Sequence, residues 1–304
     1  MRRILPLVLA ILLSACNLQQ EVELDLPEYE PELLVESYLL PGSPYFVVLS
    51  RTTNFFDSLA LDFVPGAEIT IQHGNQVDTL YELEPTIVDL LLDTDSAGLL
   101  SQVIGDEPGV YASVQFGNGF PRIATVPADY QSTFRLRIRT AEGDSLSATT
   151  RIPQPIPILY QQARFDDGRA LVLTAIQDPA GTPNYYRRVF SIQRPVVEES
   201  TGDTTGWRSR VEQDFVLDDG FTDGELIEFG TGPDYAPGDS LIASVFHITA
   251  DYFRFIDTRD AAIAASLSPF AQPAVLHTNI EGGQGIFTGF AERRDTFVVP
   301  RPPQ

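Results

Sequence analysis

The densest group of side chains able to do chemistry is the run Asp218-Asp219-Gly220-Phe221-Thr222-Asp223-Gly224-Glu225. Hard cations such as calcium take several oxygen ligands, which makes Asp218, Asp219, Asp223 and Glu225 the candidate calcium ligands. Phe221 weighs against that chemistry, because it stands where a helix–loop–helix calcium site places an acidic ligand. The run therefore reads first as an acidic turn closing a hairpin, with no metal and no cofactor expected. His73, His247 and His277 lack the paired spacing of a zinc site and read as surface or hydrogen-bonded strand residues. A single cysteine, Cys16, excludes an internal disulfide framework and any multi-thiolate centre.

Two tetrapeptides, Gly143-Asp144-Ser145-Leu146 and Gly238-Asp239-Ser240-Leu241, match the nucleophile signature of an esterase class. That chemistry needs the serine on a strand-to-helix turn and an aspartate three residues before a catalytic histidine. Both copies lead into strand-like runs, and no histidine here has that aspartate. No catalytic residue is assigned, and the chain reads as a non-enzyme. Most of the 11 Tyr and 19 Phe alternate with polar residues, as core aromatics do. The glycine cluster Gly282-Gly283-Gln284-Gly285 lies between strands rather than before a helix, so it is no phosphate cradle.

These residues must be positioned mostly by strands. Phe134 to Arg139 alternates strictly, with Phe134, Leu136 and Ile138 on one face and three arginines on the other. Glu142-Gly143-Asp144 then reads as a hairpin turn into Ser145 to Ile152. With Leu33–Leu40, Tyr45–Ser50, Ala67–Gln72, Val77–Leu83 and Val110–Phe116, this makes about seven strands, the number an immunoglobulin-like sandwich needs. Leu90 to Leu100 fits a short helix or a loop. Pro153-Gln154-Pro155-Ile156-Pro157 is a stiff connector. Strand-like runs follow at Ala170–Ile176, Tyr185–Gln193, Arg208–Leu217, Leu226–Phe229 and Leu241–Thr249, with a polar hairpin loop at Glu198–Gly206. Ala250 to Leu267 carries apolar residues at helical spacing, with Thr249 as cap and Ser268-Pro269 as stop. The expected architecture is all-β. An immunoglobulin-like or carboxypeptidase-regulatory-like β-sandwich over 31–152 leads through the connector 153–157 to a second β-rich domain over 158–304, with one helix near 250–267.

Acidic residues outnumber basic ones 42 to 20 across 304 residues, for a formal charge of −22, and every basic residue is Arg. Phosphate backbones repel such a chain, so nucleic acid is excluded as a partner. Residues 1–15 read as a signal peptide: Arg2 and Arg3, a short apolar run, then Leu13-Ser14-Ala15-Cys16, the pattern of a lipoprotein cleavage site. The apolar run falls well short of the roughly 20 residues that span a bilayer. Cys16 is thus the expected lipidation site and the membrane contact, followed by an acidic tether over 16–30. Asn17, in place of an inner-membrane-retaining Asp, favours the outer membrane, with the periplasmic or surface face left open.

Several segments recur in one order along the chain: Leu33 to Leu39, Val48 to Thr52, Pro65 to Ile71, Pro108 to Tyr111, Ser147 to Pro153, Asn184 to Tyr186, Asp218 to Gly224, Tyr252 to Phe255 and Thr278 to Phe287. In that order and spacing the chain resembles the Bacteroidota lipoprotein family catalogued as domain of unknown function 4249. Thr278-Asn279-Ile280-Glu281-Gly282-Gly283-Gln284-Gly285-Ile286-Phe287 is the most specific piece. The resemblance implies a cell-envelope lipoprotein, often encoded beside a TonB-dependent outer-membrane receptor, and hence an accessory role in nutrient uptake with that receptor as partner. It carries no catalytic residues. The alternative is an independent surface module binding glycan or peptide. Glu281, Gly282, Gly283, Gln284 and Gly285 form a possible partner loop, although glycines there also suit a tight turn.

Overall fold

The computed structural model describes residues 30–52, 62–83, 109–115, 121–197, 204–266 and 275–302. The expected signal peptide, Cys16, all of the tether but Glu30, and the segment Leu90–Leu100 lie outside the described residues. Among the described residues ten strands precede the proline connector: β1 (Leu33–Leu39), β2 (Phe46–Arg51), β3 (Asp62–Phe63), β4 (Glu68–His73), β5 (Gln76–Glu82), β6 (Val110–Ala112), β7 (Val114–Gln115), β8 (Arg122–Ile123), β9 (Phe134–Arg139) and β10 (Ser145–Thr150). Beyond it come β11 (Ile158–Asp166), β12 (Arg169–Gln177), β13 (Tyr185–Val197), β14 (Thr204–Asp218), β15 (Leu226–Gly230) and β16 (Ser240–Ile248). Helix α1 (Ala250–Ser266), β17 (Gln284–Gly289) and β18 (Ala291–Val298) complete the described chain. Apart from α1, the described residues are all-β and pack as β-sandwiches.

Side-chain alternation sets the local structure. Strand β9 buries Phe134, Leu136 and Ile138 and exposes Arg135, Arg137 and Arg139. Gly143, at φ 101°, makes the left-handed turn into β10 that a residue with a Cβ resists. The first sheet runs β10-β9-β4-β5-β6-β2-β1-β17, with β3 beside β2. Ser147 of β10 bridges Glu281, just ahead of β17, so the two ends of the sheet meet. The sheet thus wraps one core containing Val35, Leu49, Ile71, Leu136, Ile138 and Phe287.

Strand β17 corrects the expected domain division. It lies far beyond the connector in sequence, yet pairs in parallel with β1, from Leu34↔Gln284 to Leu39↔Gly289. One residue later the same stretch enters β18, which pairs with β16 in another sheet. Residues 284–289 therefore complete the first sandwich, and Glu32–Gln304 is one compact unit rather than two separable halves at 153–157. A parallel pairing needs a long return path, which alternation within either strand cannot reveal.

The second sandwich sets β11-β12-β15 against β14-β13-β16-β18. Val172 packs with Phe190 and Leu241, and Ile176 and Phe229 pack with Tyr186 and Val245. Strand β11 escaped the sequence reading because its residues are partly buried without alternation. Helix α1 begins where expected: Thr249 Oγ1 accepts the Tyr252 amide at 3.2 Å, an N-cap. Its buried face, Tyr252, Phe255 and Ile256, packs on Phe246 of β16, Ile286 of β17 and Tyr38 of β1, joining the two sandwiches. Leu267, the expected last apolar residue, lies outside the described residues.

Among the described residues Arg188 of β13 is the largest fully buried side chain. It stacks on Phe190, 4.0 Å from the ring centroid, and donates to Gly230 O at 3.1 Å and to Gln213 Oε1 at 2.9 Å. No carboxylate pairs with it among the described residues, and burial pushes its pKa down to about 10. A buried charge held this way adds little over an apolar side chain of similar volume. Arg188→Met is expected to unfold within about 1 kcal/mol of the parent or to be stabilised, whereas Arg188→Ala leaves a cavity and loses at least about 3 kcal/mol. Denaturant titration of both variants checks this.

Candidate functional site

The acidic run and the end of β12 converge. Asp178 follows β12, and the loop 218–225 links β14 to β15. Carboxylate oxygens of Asp178, Asp219 and Asp223 lie within 4.8 Å of one another, with the first two buried and Asp223 exposed. The structure thus gathers two of the four expected calcium candidates and replaces the others. Asp218 turns away to accept the Gly220 amide at 3.1 Å, and Glu225 contributes its backbone, whose carbonyl accepts the Asp178 amide at 3.0 Å. Asp178 is distant in sequence, so no local motif could have announced it.

Most of these oxygens are already engaged. Asp178 accepts the Tyr186 hydroxyl through one oxygen and the Gly224 amide, at 2.8 Å, through the other. Asp219 Oδ2 accepts Asn184 N at 2.8 Å and Asn184 Nδ2 at 3.3 Å. Asp223 Oδ1 accepts Gly181 N at 2.7 Å. Asn184 also donates to the carbonyls of Pro179 and Thr182. The bonds to Asp219 and Asp223, and from Gly224 to Asp178, are charge-assisted and clamp the 178–184 and 218–225 loops together. Three clustered carboxylates could accept a hard cation, although four of their six oxygens already accept protein donors.

His247 of β16 extends the cluster. Its ring stacks on Tyr186, and its Nδ1 bonds Gln154 O at 2.7 Å, holding the proline connector. Burial lowers its pKa, against opposing pulls from the Gln154 bond and from Asp178 and Asp219. The unfolded chain therefore binds a proton at this residue more readily than the folded one. The contribution of neutral His247 is full above the unfolded value of about 6.5 and is lost as pH falls toward the lower folded value, at up to about 1.4 kcal/mol per pH unit. Comparing denaturation midpoints at pH 7 and pH 5 should show a drop for the parent and a smaller one for His247→Gln.

The remaining sequence candidates are occupied structurally. Asp144 Oδ2 accepts the Thr140 hydroxyl at 3.1 Å within its hairpin turn. Ser240 donates to Gln193 Oε1 at 3.3 Å, and Asp239 accepts the Ala236 amide at 2.8 Å. His73 pairs with Asp129 at 2.8 Å and His277 with Asp251 at 3.1 Å, so neither histidine addresses a serine. A shallow pocket of about 330 Å³ lies elsewhere, lined by Gln72, Gly74, Ser132, Thr133 and Arg135.

The expected partner loop is a wedge. A Cβ on Gly282 would sit 2.6 Å from Ser145 O, and one on Gly283 would sit 2.6 Å from Leu33 O. On Gly285, at φ 107°, it would overlap the Val35 carbonyl oxygen. The segment threads between β1 and β10, where only glycine fits. Asn279 brackets it, donating to Phe287 O at 2.8 Å and accepting Phe287 N at 2.9 Å. Glu281 remains exposed but accepts the Ser147 hydroxyl at 2.8 Å. Close approach of the β1 and β10 backbones requires glycine at 282, 283 and 285.

The sequence model of the family described as "Domain of unknown function (DUF4249)" matches residues 19–296. The chain belongs to this family. Among curated proteins none matches. Among solved structures, the chain is similar to the FN1–FN3 domains of chicken CNTN1, with 8% identity over 90% of this chain and 68% of that one. The TM-score of 0.27 is too low for that likeness to bear on function. Within this DUF4249 chain, the family-like runs Asp218–Gly224 and Thr278–Phe287 fall on the aspartate clamp and the glycine wedge. Both hold the scaffold in shape.

Proposed function

We propose that this DUF4249 chain is an outer-membrane lipoprotein, anchored through Cys16, that serves as a non-enzymatic accessory subunit of a TonB-dependent nutrient uptake system. Family membership over residues 19–296 carries the reading, joined to the cleavage pattern Leu13-Ser14-Ala15-Cys16. The fold supports binding as its mode of action. Its carboxylate cluster is largely engaged by protein donors, and α1 packs the two sandwiches together over a shared apolar core. No helix among the described residues is long and apolar enough to cross a membrane. Several acyl chains, at about 0.8 kcal/mol per buried methylene, make such an anchor effectively permanent.

The anchor is tested by growing cells with a clickable fatty acid and fractionating them. The parent should carry label in the outer membrane, and Cys16→Ser should be unlabelled and released. Label persisting in Cys16→Ser would remove the anchor from the proposal. Capture of the receptor tests the accessory role.

A further inference from the structure

We infer that Phe221 is the residue by which this protein docks to its partner, entering an apolar pocket with a positively charged rim. The inference rests on the docking role proposed above and names its point of contact. Phe221 is 100% exposed, at the apex of the 218–225 loop. A bare aromatic is unremarkable on a mobile tip, but this tip is held. Asp219 N donates to Asn184 O at 3.1 Å, Thr222 N to Asp219 O at 2.8 Å, and Glu225 N to Thr222 O at 2.8 Å. The clamp through Asp178, Asn184 and Asp219 fixes the loop from beneath. Gly224, at φ 74°, brings it so close that an added Cβ would lie 2.6 Å from the Ala180 Cβ.

Such a loop presents its aromatic on a fixed backbone, so binding need not order the loop first. Rigid aromatics that fill a partner's pocket are the usual centres of interface energy. The surroundings specify the partner. Asp218, Asp223 and Glu225 are exposed on the same loop. These carboxylates select a rim of arginine or lysine and speed the encounter. They also oppose insertion into an anionic lipid surface, which leaves a protein pocket as the complement.

The test replaces Phe221 with the photoreactive analogue p-benzoylphenylalanine in the full-length chain, in its own envelope. Val77, exposed on β5, serves as the control site. Irradiation should give a single protein adduct from position 221 that is absent from position 77. Capture of that same protein by Phe221→Ala should fall at least tenfold, with an unchanged melting temperature, and Phe221→Leu should retain most of it. No adduct at 221, the same adducts at both positions, lipid adducts alone, or undiminished capture by Phe221→Ala would overturn the inference. A specific adduct with a protein other than a TonB-dependent receptor would uphold the anchor and refute the uptake role. Receptor capture that ignores Phe221 would do the reverse.

Discussion

Gly285→Ala is expected to abolish folding or to lower stability by at least about 4 kcal/mol, the range reached only when backbone geometry is violated. Two costs combine. Gly285 sits at φ 107°, where an L-residue costs roughly 1–2 kcal/mol. Its Cβ would also overlap the Val35 carbonyl in β1, the strand with which β17 pairs. A backbone atom inside a ladder cannot step aside as a flexible side chain can. Gly42→Ala is the matched control, because Gly42 is at φ 88° with nothing within 4 Å. It should lose only the conformational cost. In a chain of this size about 4 kcal/mol lowers the melting temperature by roughly 8–16 °C. Thermal melts that place the two variants together would show that β17 is not wedged as described.

Asp178→Ala carries the second largest effect. Asp178 is 2% exposed and accepts from the Tyr186 hydroxyl and the Gly224 amide. Truncation leaves two donors without their acceptor, at about 1–3 kcal/mol each, for an expected loss of roughly 3–5 kcal/mol. Tyr186→Phe removes one bond and leaves Asp178 its other donor, so it should lose only about 1–1.5 kcal/mol. Burial, followed by the bond to Asp178, holds the Tyr186 hydroxyl in its protonated, donating form throughout the physiological range. Hydrogen exchange at the Gly224 amide should accelerate in Asp178→Ala along with the fall in stability. A loss below about 1 kcal/mol would mean that the loops are held by something other than this carboxylate.

Strands β1, β4, β9 and β10 are legible in the sequence because one face of each is buried and the other faces water, as in β9 and its three arginines. The helix was legible because Thr249 and the apolar spacing mark it locally. What could not be read is non-local. Strand β17 is parallel to β1 and separated from it by most of the chain, so nothing in either strand announces the pairing. The same separation hid Asp178, which completes the carboxylate cluster from a different strand end. The glycines of 282–285 were legible as a turn or contact loop but not as a wedge, because only the neighbouring β1 and β10 backbones require them. Strand β11 lacked alternation because much of it is only partly covered.

Mild-detergent extraction of outer membranes containing the tagged full-length chain, followed by affinity capture and quantitative mass spectrometry, tests the accessory-subunit claim most directly. The account predicts one TonB-dependent receptor recovered in near-equimolar amount with the lipoprotein. Recovery of the lipoprotein alone, from membranes in which the receptor is present, would contradict it and would favour an independent module binding glycan or peptide.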